Sequence, residues 1–417
     1  MNDLNFVDIV FTGYGAIIGV AIFSLLPYIT KYSGGRVWFA FLIGGIISIL
    51  TGLTYGRLNL DVAENDAEYS WIVDAFSKPE TKNNKTYNKY IKIFANVIVW
   101  AIILLGITTT STIVVSITKF INNYSNNYSN NIPDTIKNLG LIVIPTIINM
   151  FGVKMMSSIN ILFTSLVTIG FIILIGISGK SHKYVKELSL HSNDMSGLLR
   201  GIFLTILPFN GFQTIVNMSG NIKNKSLIPK GILAASGLAT LSYVGVAGAT
   251  VAILGVKNTI NSSSPVALAY GKVFGHYGKD IINGLAICNG IPTLLIFLFS
   301  RANIITSLAE KEQFPKIFKK INITLICVSV ITYLFTLVPG DNLEILATLS
   351  NGLAFSVFAV INIALLYKYH TNKWNNPVDK EHDDTFTIKF KEIYPFYSII
   401  SLVVAIILLV RMFMVPK

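Results

Sequence analysis

The stretch FTGYGAIIGVAIFSLLP at residues 11–27 decides how the rest of the chain is interpreted, because it places Gly13, Gly15 and Gly19 within seven residues of an apolar run. Glycines also cluster in dinucleotide-binding loops, but that fingerprint requires a preceding strand and a soluble βαβ unit, which the surrounding sequence lacks. Two interpretations remain open. The small residues let membrane helices pack closely, or the helix is interrupted at mid-membrane and its freed N–H groups face an anionic ligand.

The apolar run is one of many. The 417 residues are 52% hydrophobic and only 13% charged, about half the charge of a soluble domain. Apolar segments long enough to approach the roughly 20 residues of a membrane-spanning helix lie at 6–30, 37–57, 93–118, 138–152, 159–178, 197–219, 231–255, 281–306, 322–339, 344–367 and 394–414. We therefore predict an all-α integral membrane protein with about eleven transmembrane helices.

The net charge of +12 does not indicate a nucleic-acid partner, because most basic residues lie in loops between apolar runs. With the N-terminus inside, the cytoplasmic loops hold 18 lysines and the opposite loops hold 11 lysines or arginines. This asymmetry predicts a cytoplasmic N-terminus and leaves the choice between a plasma and an internal membrane open. The predicted partners are the lipid bilayer and a small molecule, and the oligomeric state is left open.

Sites for other chemistry are weak. The two cysteines, Cys288 and Cys327, lie in apolar stretches, and the five histidines lack the spacing of metal ligands, so no metal and no cofactor is expected. Motifs of membrane-embedded enzymes are missing, and we expect a protein without enzymatic activity. The loop on the predicted outer side holds two glycosylation acceptor triplets, at Asn123 and Asn127.

The sixth apolar segment favours an interrupted helix over close packing. Within it, Pro208 and Gly211 bracket Asn210 in the middle of the run. Proline removes a backbone donor and glycine tolerates the resulting dihedral angles, although a simple proline kink with Asn210 bonded to a neighbouring helix is the alternative. Two interrupted spans that open two halves of five helices are typical of a transporter binding site.

These segments resemble a known family over most of the chain. The run from Gly15 to Pro27 is similar to the first-helix motif of the amino acid–polyamine–organocation (APC) transporters, G-x-I-I-G-S/T-G-I-F followed by L-P. Residues 55–77 resemble the family's Y-A-E-L…P-E-A-G-G-E-Y stretch, and the matching residues are Tyr55, Leu58, Glu64, Glu68, Tyr69, Ala75 and Phe76. Weaker similarities follow in the same order at 152–154, 209–229, 307–318 and 390–395.

The resemblance implies a five-plus-five inverted-repeat bundle that moves amino acids by alternating access. Its first repeat would cover about 6–178, its second about 197–367, and an additional helix about 394–414. The family binds the substrate carboxylate at the helix 1 break and the ammonium at the helix 6 break. Phe209 corresponds to the family's aromatic gate, and a buried core aromatic is the alternative for this residue. The substrate-binding residues implied here are Gly15, Ile18, Gly19, Val20, Ala21, Pro208, Phe209, Asn210 and Gly211.

Departures from the family motif narrow the range of substrates that we expect. Val20 and Ala21 replace a small polar residue and a glycine, and Asn210 stands where an acidic residue is usual. The lost carboxylate argues against a strongly cationic substrate, so we expect neutral or aromatic amino acids. These losses, and the missing twelfth span, also motivate the alternative of a diverged, non-transporting sensor or partner-binding subunit.

The coupling ion stays open at this point. Ionisable residues in the predicted spans are few, and Arg57 and Arg301 fit interfacial or ion-paired positions. The fifth apolar segment, 159–178, carries no lysine that could replace a sodium ion, and Ser300 and Ser307 are only weak candidates for sodium ligands. Coupling to H⁺, coupling to Na⁺, exchange and uniport all remain possible modes of transport.

Overall fold

The computed structural model describes residues 4–124, 132–179, 185–188, 194–337, 343–375, 385–393 and 395–414, and within these ranges it contains helices and no strand. The α-helices are α1 (Phe6–Ile18), α2 (Ala21–Ser33), α3 (Val37–Asp61), α4 (Ala67–Phe76), α5 (Lys85–Tyr124), α6 (Asp134–Met150), α7 (Val153–Ser178), α8 (Met195–Phe209), α9 (Gln213–Val216), α10 (Leu227–Leu254), α11 (Val256–Asn261), α12 (Pro265–Glu310), α13 (Ile321–Thr336), α14 (Leu343–Thr371), α15 (Thr385–Ile393) and α16 (Pro395–Met414).

Each predicted apolar segment coincides with a helix or with an interrupted pair of helices. By length and composition, seven helical stretches of the described chain are able to cross a membrane, and shorter apolar helices lie at Phe6–Ile18, Ile321–Thr336 and Phe396–Val410. The first predicted span is the pair α1 and α2, and the sixth is α8 followed by α9. The predicted helical class is confirmed.

Two helices are much longer than the predicted spans. The span predicted at 93–118 is the 40-residue helix α5, and the one predicted at 281–306 lies within the 46-residue α12. Their polar flanks continue the helix because helical hydrogen bonds do not require a lipid environment. In α12, Gly275 at φ 71° marks a kink between two helical parts, a backbone angle that glycine adopts at little cost.

Large apolar side chains lie on the outside of the bundle. Exposed examples are Trp100 on α5, Ile172 on α7, Leu241 on α10 and Val330 on α13. The interior instead holds many serine, threonine and asparagine side chains together with apolar ones. This distribution suits a bundle surrounded by lipid, where interhelical contacts use small and polar residues.

Ionic contacts join the helices at the end of the bundle where α3 ends. The buried Lys368 of α14 binds the carboxylates of Asp61 on α3 and Asp74 on α4. Beside it, the Arg57 guanidinium lies 3.8 Å from the Trp374 ring centroid. The Arg57 side chain, for which the sequence indicates an interfacial or ion-paired position, is fully buried. These contacts hold α3, α4 and α14 together.

Candidate substrate site

Helix 1 is interrupted between Ile18 and Ala21. Gly19 has φ 9° and ψ −163°, outside the helical region, and its N–H bonds the Gly15 carbonyl at 3.3 Å. Within the described chain the Val20 N–H makes no backbone hydrogen bond. In the first turn of α2, the N–H groups of Phe23 and Ser24 bond the Val20 carbonyl at 3.0 and 3.2 Å, whereas those of Ala21 and Ile22 have no partner within that helix. The interruption therefore presents a helix N-terminus with unsatisfied donors.

The carbonyl side of the same interruption is satisfied by side chains of other helices. The Tyr243 hydroxyl of α10 donates to the Ile17 carbonyl, and the Thr293 hydroxyl of α12 donates to the Gly15 carbonyl at 3.2 Å. These two bonds fix the end of α1. Because these two carbonyls are occupied and the Val20 amide has no backbone partner in the described chain, the break favours a ligand with a negative group.

A narrow cavity lies against this break and has a volume of about 20 Å³, room for little more than one water molecule. Its walls come from both interrupted helices and from α5 and α12. They are formed by Ala16, Ile17, Gly19, Val20, Ala21, Ser24, Leu25, Thr109, Thr112, Ile113, Ser116, Leu207, Pro208, Thr293 and Phe297. None of these lining side chains is ionisable, so the cavity offers hydroxyls, backbone groups and apolar surface to a ligand.

Helix 6, the sixth predicted span, consists of α8 and α9 and is interrupted in a different way. After α8 ends at Phe209, a 3₁₀ turn covers Asn210–Phe212 and leads directly into α9. Phe209 and Asn210 keep right-handed helical dihedral angles, with φ −84° and −61°. The predicted interruption of helix 6 is thus a 3₁₀ turn with its own backbone hydrogen bonds. It is not an unwound segment.

The structure brings four of the nine predicted binding residues to the cavity wall. These are Gly19, Val20, Ala21 and Pro208. The other five lie behind it and contribute to packing between helices. They are Gly15, Ile18, Phe209, Asn210 and Gly211, none of which lines the cavity.

The two glycines behind the cavity allow close helix contacts. A Cβ atom at Gly211 would lie 2.4 Å from the backbone nitrogen of Ile17, and one at Gly15 would lie 2.0 Å from the Asn160 amide oxygen. The 3₁₀ turn of helix 6 therefore packs directly on the backbone of α1. Here the close-packing interpretation of glycine describes the structure better than a binding role does.

The aromatic and amide side chains of helix 6 are buried away from the cavity. Phe209 packs edge-on against Tyr243, with ring centroids 5.1 Å apart. Asn210 is 2% exposed, and neither its amide nitrogen nor its amide oxygen has a hydrogen-bond partner in the described chain.

Hydroxyl groups on α5 and α12 were missed in the sequence analysis. Thr109, Thr112 and Ser116 line the cavity at spacings of three and four residues, which put them on one face of α5. The signal was present as the run TTTSTIVVS at 108–116. Which of these hydroxyl groups face the cavity depends on how α5 packs, and the sequence alone does not determine that packing.

A second cavity, with a volume of about 280 Å³, adjoins the first on the side where α2 ends. The two share the wall residues Ser24 and Ser116. The second cavity is also lined by Tyr28, Lys31 and Lys119. We call it the vestibule.

On the opposite side of the site, buried aromatic side chains fill the space between the helices. Tyr55 contacts Trp71, Phe212 and Phe358 edge-on, at centroid distances of 5.2, 5.4 and 6.2 Å. All four side chains are fully buried. We call this group the aromatic seal.

The predicted glycosylation sites receive no structural account. Asn127 lies outside the described residues, and Asn123 falls in the last turn of α5, where its side chain is not described.

Comparison with known proteins identifies the family. The family model described as amino acid permease matches residues 4–417. The inner membrane transport protein YbaT of Escherichia coli is 22% identical over 76% of this chain and 72% of its own length. The branched-chain amino acid permease BcaP of Bacillus subtilis is 21% identical over 88% of this chain and 80% of its own length.

The fold is shared with a solved structure. MhsT in complex with L-phenylalanine superposes with a TM-score of 0.68 at 13% identity, covering 99% of this chain and 100% of MhsT. This likeness confirms the predicted five-plus-five transporter bundle with interrupted helices 1 and 6. The chain belongs to the amino acid permease family and is a multi-pass membrane protein.

Proposed function

We propose that the protein is a secondary transporter that moves neutral amino acids, apolar or aromatic, across a membrane by alternating access. The observation that carries this proposal is the interruption of helix 1, where Val20 borders the cavity and its N–H group has no backbone partner in the described chain. A carboxylate bound there gains hydrogen bonds and the favourable end of a helix dipole.

The chemistry of the cavity supports a neutral substrate. Leu25, Ile113, Leu207 and Phe297 provide apolar surface for a side chain, and the hydroxyls of α5 and α12 provide polar contacts. A cationic side chain would be desolvated there without a counter-charge, which is costly. The relative BcaP is a branched-chain amino acid permease, which agrees with this substrate class.

The two sides of the cavity support an alternating-access cycle. The cavity adjoins the vestibule where α2 ends, and the aromatic seal lies toward the other end. We propose that the repeats at 6–178 and 197–367 are the halves whose relative movement opens one side and closes the other. With the N-terminus cytoplasmic, the vestibule side is the outer one.

The experiment that tests this function combines binding with transport. A thermal-shift screen of the detergent-purified protein against the twenty amino acids is expected to raise the melting temperature with a few neutral ones, because only a ligand that prefers the native state does so. Those amino acids are then expected to exchange across proteoliposome membranes in a counterflow assay. Binding without flux would support the sensor alternative, and neither binding nor flux would refute the proposal.

A further inference from the structure

A buried carboxyl group lies next to the aromatic seal. Glu68 on α4 is 1% exposed, and its Oε1 has no hydrogen-bond partner in the described chain. The carboxyl interacts electrostatically with the Arg301 guanidinium on α12 and with the Tyr55 hydroxyl on α3. The Tyr55 hydroxyl and the Nε and Nη1 atoms of Arg301 are also buried without partners among the described residues. Three polar side chains from three elements therefore meet in one enclosed place.

The fold provides a dedicated space for the arginine. Arg301 is 1% exposed, and its side chain crosses Gly106 of α5 so closely that a Cβ atom there would lie 1.8 Å from the guanidinium Nε. Burying a guanidinium group is costly unless a negative charge compensates it. The nearby carboxyl of Glu68 supplies that charge when it is ionised.

The charge of Glu68 is sensitive to pH near neutrality. Burial raises the pKa of this carboxyl to about 7, with Arg301 opposing the rise and Asp66 adding to it. Glu68 belongs to α4, which is not one of the apolar spans. Burial therefore favours the protonated form of Glu68 at a higher pH than in an exposed carboxyl group.

Other charged groups around α4 are engaged elsewhere or face solvent. Asp66 accepts hydrogen bonds from Ser307 at 3.0 Å and from Lys311 at 2.8 Å. On α14, Lys368 binds Asp61 and Asp74. The lysines on the first turns of α5 are exposed to solvent: Lys85, Lys89 and Lys92. The groups that act on Glu68 are thus Arg301, Asp66 and Tyr55.

A line of polar side chains on α12 connects this place with the substrate cavity. Asn289, Thr293, Ser300 and Ser307 are buried and fall on one face of the helix by their spacing. Thr293 lines the cavity, and Ser307 bonds Asp66, two residues before Glu68. The distance from Thr293 to Ser307 along the helix is about 21 Å. Ser300 lies halfway between Thr293 and Ser307, and its hydroxyl has no hydrogen-bond partner in the described chain.

We propose that Glu68 is the proton-binding residue through which this protein couples transport to a proton gradient. This inference rests on the proposed transport function. While the aromatic seal is closed, the buried carboxylate takes up one proton that enters from the vestibule side and becomes a neutral carboxylic acid. Arg301 then lacks its counter-charge, which makes the closed state costly and favours opening of the seal. When the seal opens, water reaches the carboxyl group, its ionised form is favoured again, and the proton leaves on that side.

The test compares Glu68→Gln with a matched control. Glutamine keeps the shape of the protonated side chain and cannot release a proton. Glu64→Gln changes a carboxyl four residues away that is 49% exposed. In proteoliposomes, Glu68→Gln is expected to retain amino acid counterflow and to lose accumulation driven by a pH gradient, whereas Glu64→Gln keeps both. Wild-type counterflow without any response to a pH gradient, or normal gradient-driven accumulation by Glu68→Gln, would overturn the proposal.

Two further measurements keep the assignment testable. Glu68→Asp retains a titrating carboxyl and is expected to recover part of the gradient-driven accumulation, which guards against a folding defect in the glutamine variant. If the wild type shows no counterflow at all, the transport function itself fails. The proton site is then judged by infrared difference spectra recorded on either side of about pH 7, in which wild type but not Glu68→Gln should show a titrating carboxyl band. An identical band in both proteins would contradict the assignment.

Discussion

The interruptions of helix 1 and helix 6 begin from similar sequence signals and end as different structures. Both segments carry glycine, or proline with glycine, in the middle of an apolar run. In helix 1 the backbone leaves the helical region at Gly19 and the next helix starts afresh at Ala21. In helix 6 the chain passes through a 3₁₀ turn without leaving right-handed helical geometry.

The difference lies in which backbone groups are left for a ligand. At helix 1 the Val20 N–H lacks a backbone partner in the described chain, while the carbonyls of Gly15 and Ile17 are bonded by side chains. At helix 6 the Gly211 carbonyl is already bonded by the Thr214 hydroxyl at 2.6 Å. The first interruption is therefore suited to ligand binding, and the second mainly shapes the surface on which the first one packs.

Gly211→Ala is expected to have the largest effect on this comparison. The new methyl group would meet the backbone of α1 at 2.4 Å, where no flexible side chain is able to yield. Overpacking of this kind costs about 1–3 kcal/mol or more. The thermal stability of the purified protein should fall sharply, whereas Gly237→Ala, whose Cβ has open space, should have little effect. Equal stability of the two variants would contradict backbone contact between the interruptions.

Gly19→Leu is expected to abolish binding while the bundle stays folded. The nearest atoms to a Cβ at this position belong to the Thr293 side chain at 3.1 Å, and the rest of the leucine would occupy the cavity. Losing the carboxylate contacts should weaken binding at least about tenfold, equivalent to about 1.4 kcal/mol. The thermal shift with the best ligand is the measurement, and the exposed Gly176→Leu is the control. Unchanged binding in a folded Gly19→Leu sample would remove helix 1 from the site.

Phe209→Leu is expected to have the smallest effect of the three substitutions. It tests whether Phe209 is an aromatic gate or a packing residue. The side chain is buried against Tyr243 and does not line the cavity. Losing the ring contact should cost about 1 kcal/mol of stability and leave the order of preferred amino acids unchanged. Phe297→Leu, which alters the cavity wall, should change that order. A changed preference in Phe209→Leu would restore its predicted role as an aromatic gate.

Sequence-based prediction succeeded where the signal was local. The helical class and the positions of both interruptions follow from the length of apolar runs and from glycine and proline within them. The form of each interruption did not follow, because Pro208 and Gly211 permit both an unwound segment and a 3₁₀ turn. Packing of the turn against Ile17 selected the second.

The candidate site was predicted only in part for a related reason. Gly19, Val20 and Ala21 border the cavity because they form the helix break itself, which is a property of one segment. Thr112 and Thr293 border it because two other helices turn one face toward that break. Hydroxyl groups of this kind occur on many membrane helices, and their sequence spacing does not say which face will meet a ligand.

The sequence by itself determined that this chain is a bundle of apolar helices with two interrupted members, because hydrophobic length and backbone-breaking residues act locally. Only the tertiary structure decided which side of each interruption is satisfied, which hydroxyls border the cavity, and that Glu68 lies beside Arg301 and Tyr55. Those outcomes depend on contacts between segments far apart in the chain. Such contacts are set by how whole helices pack and not by any single stretch of residues.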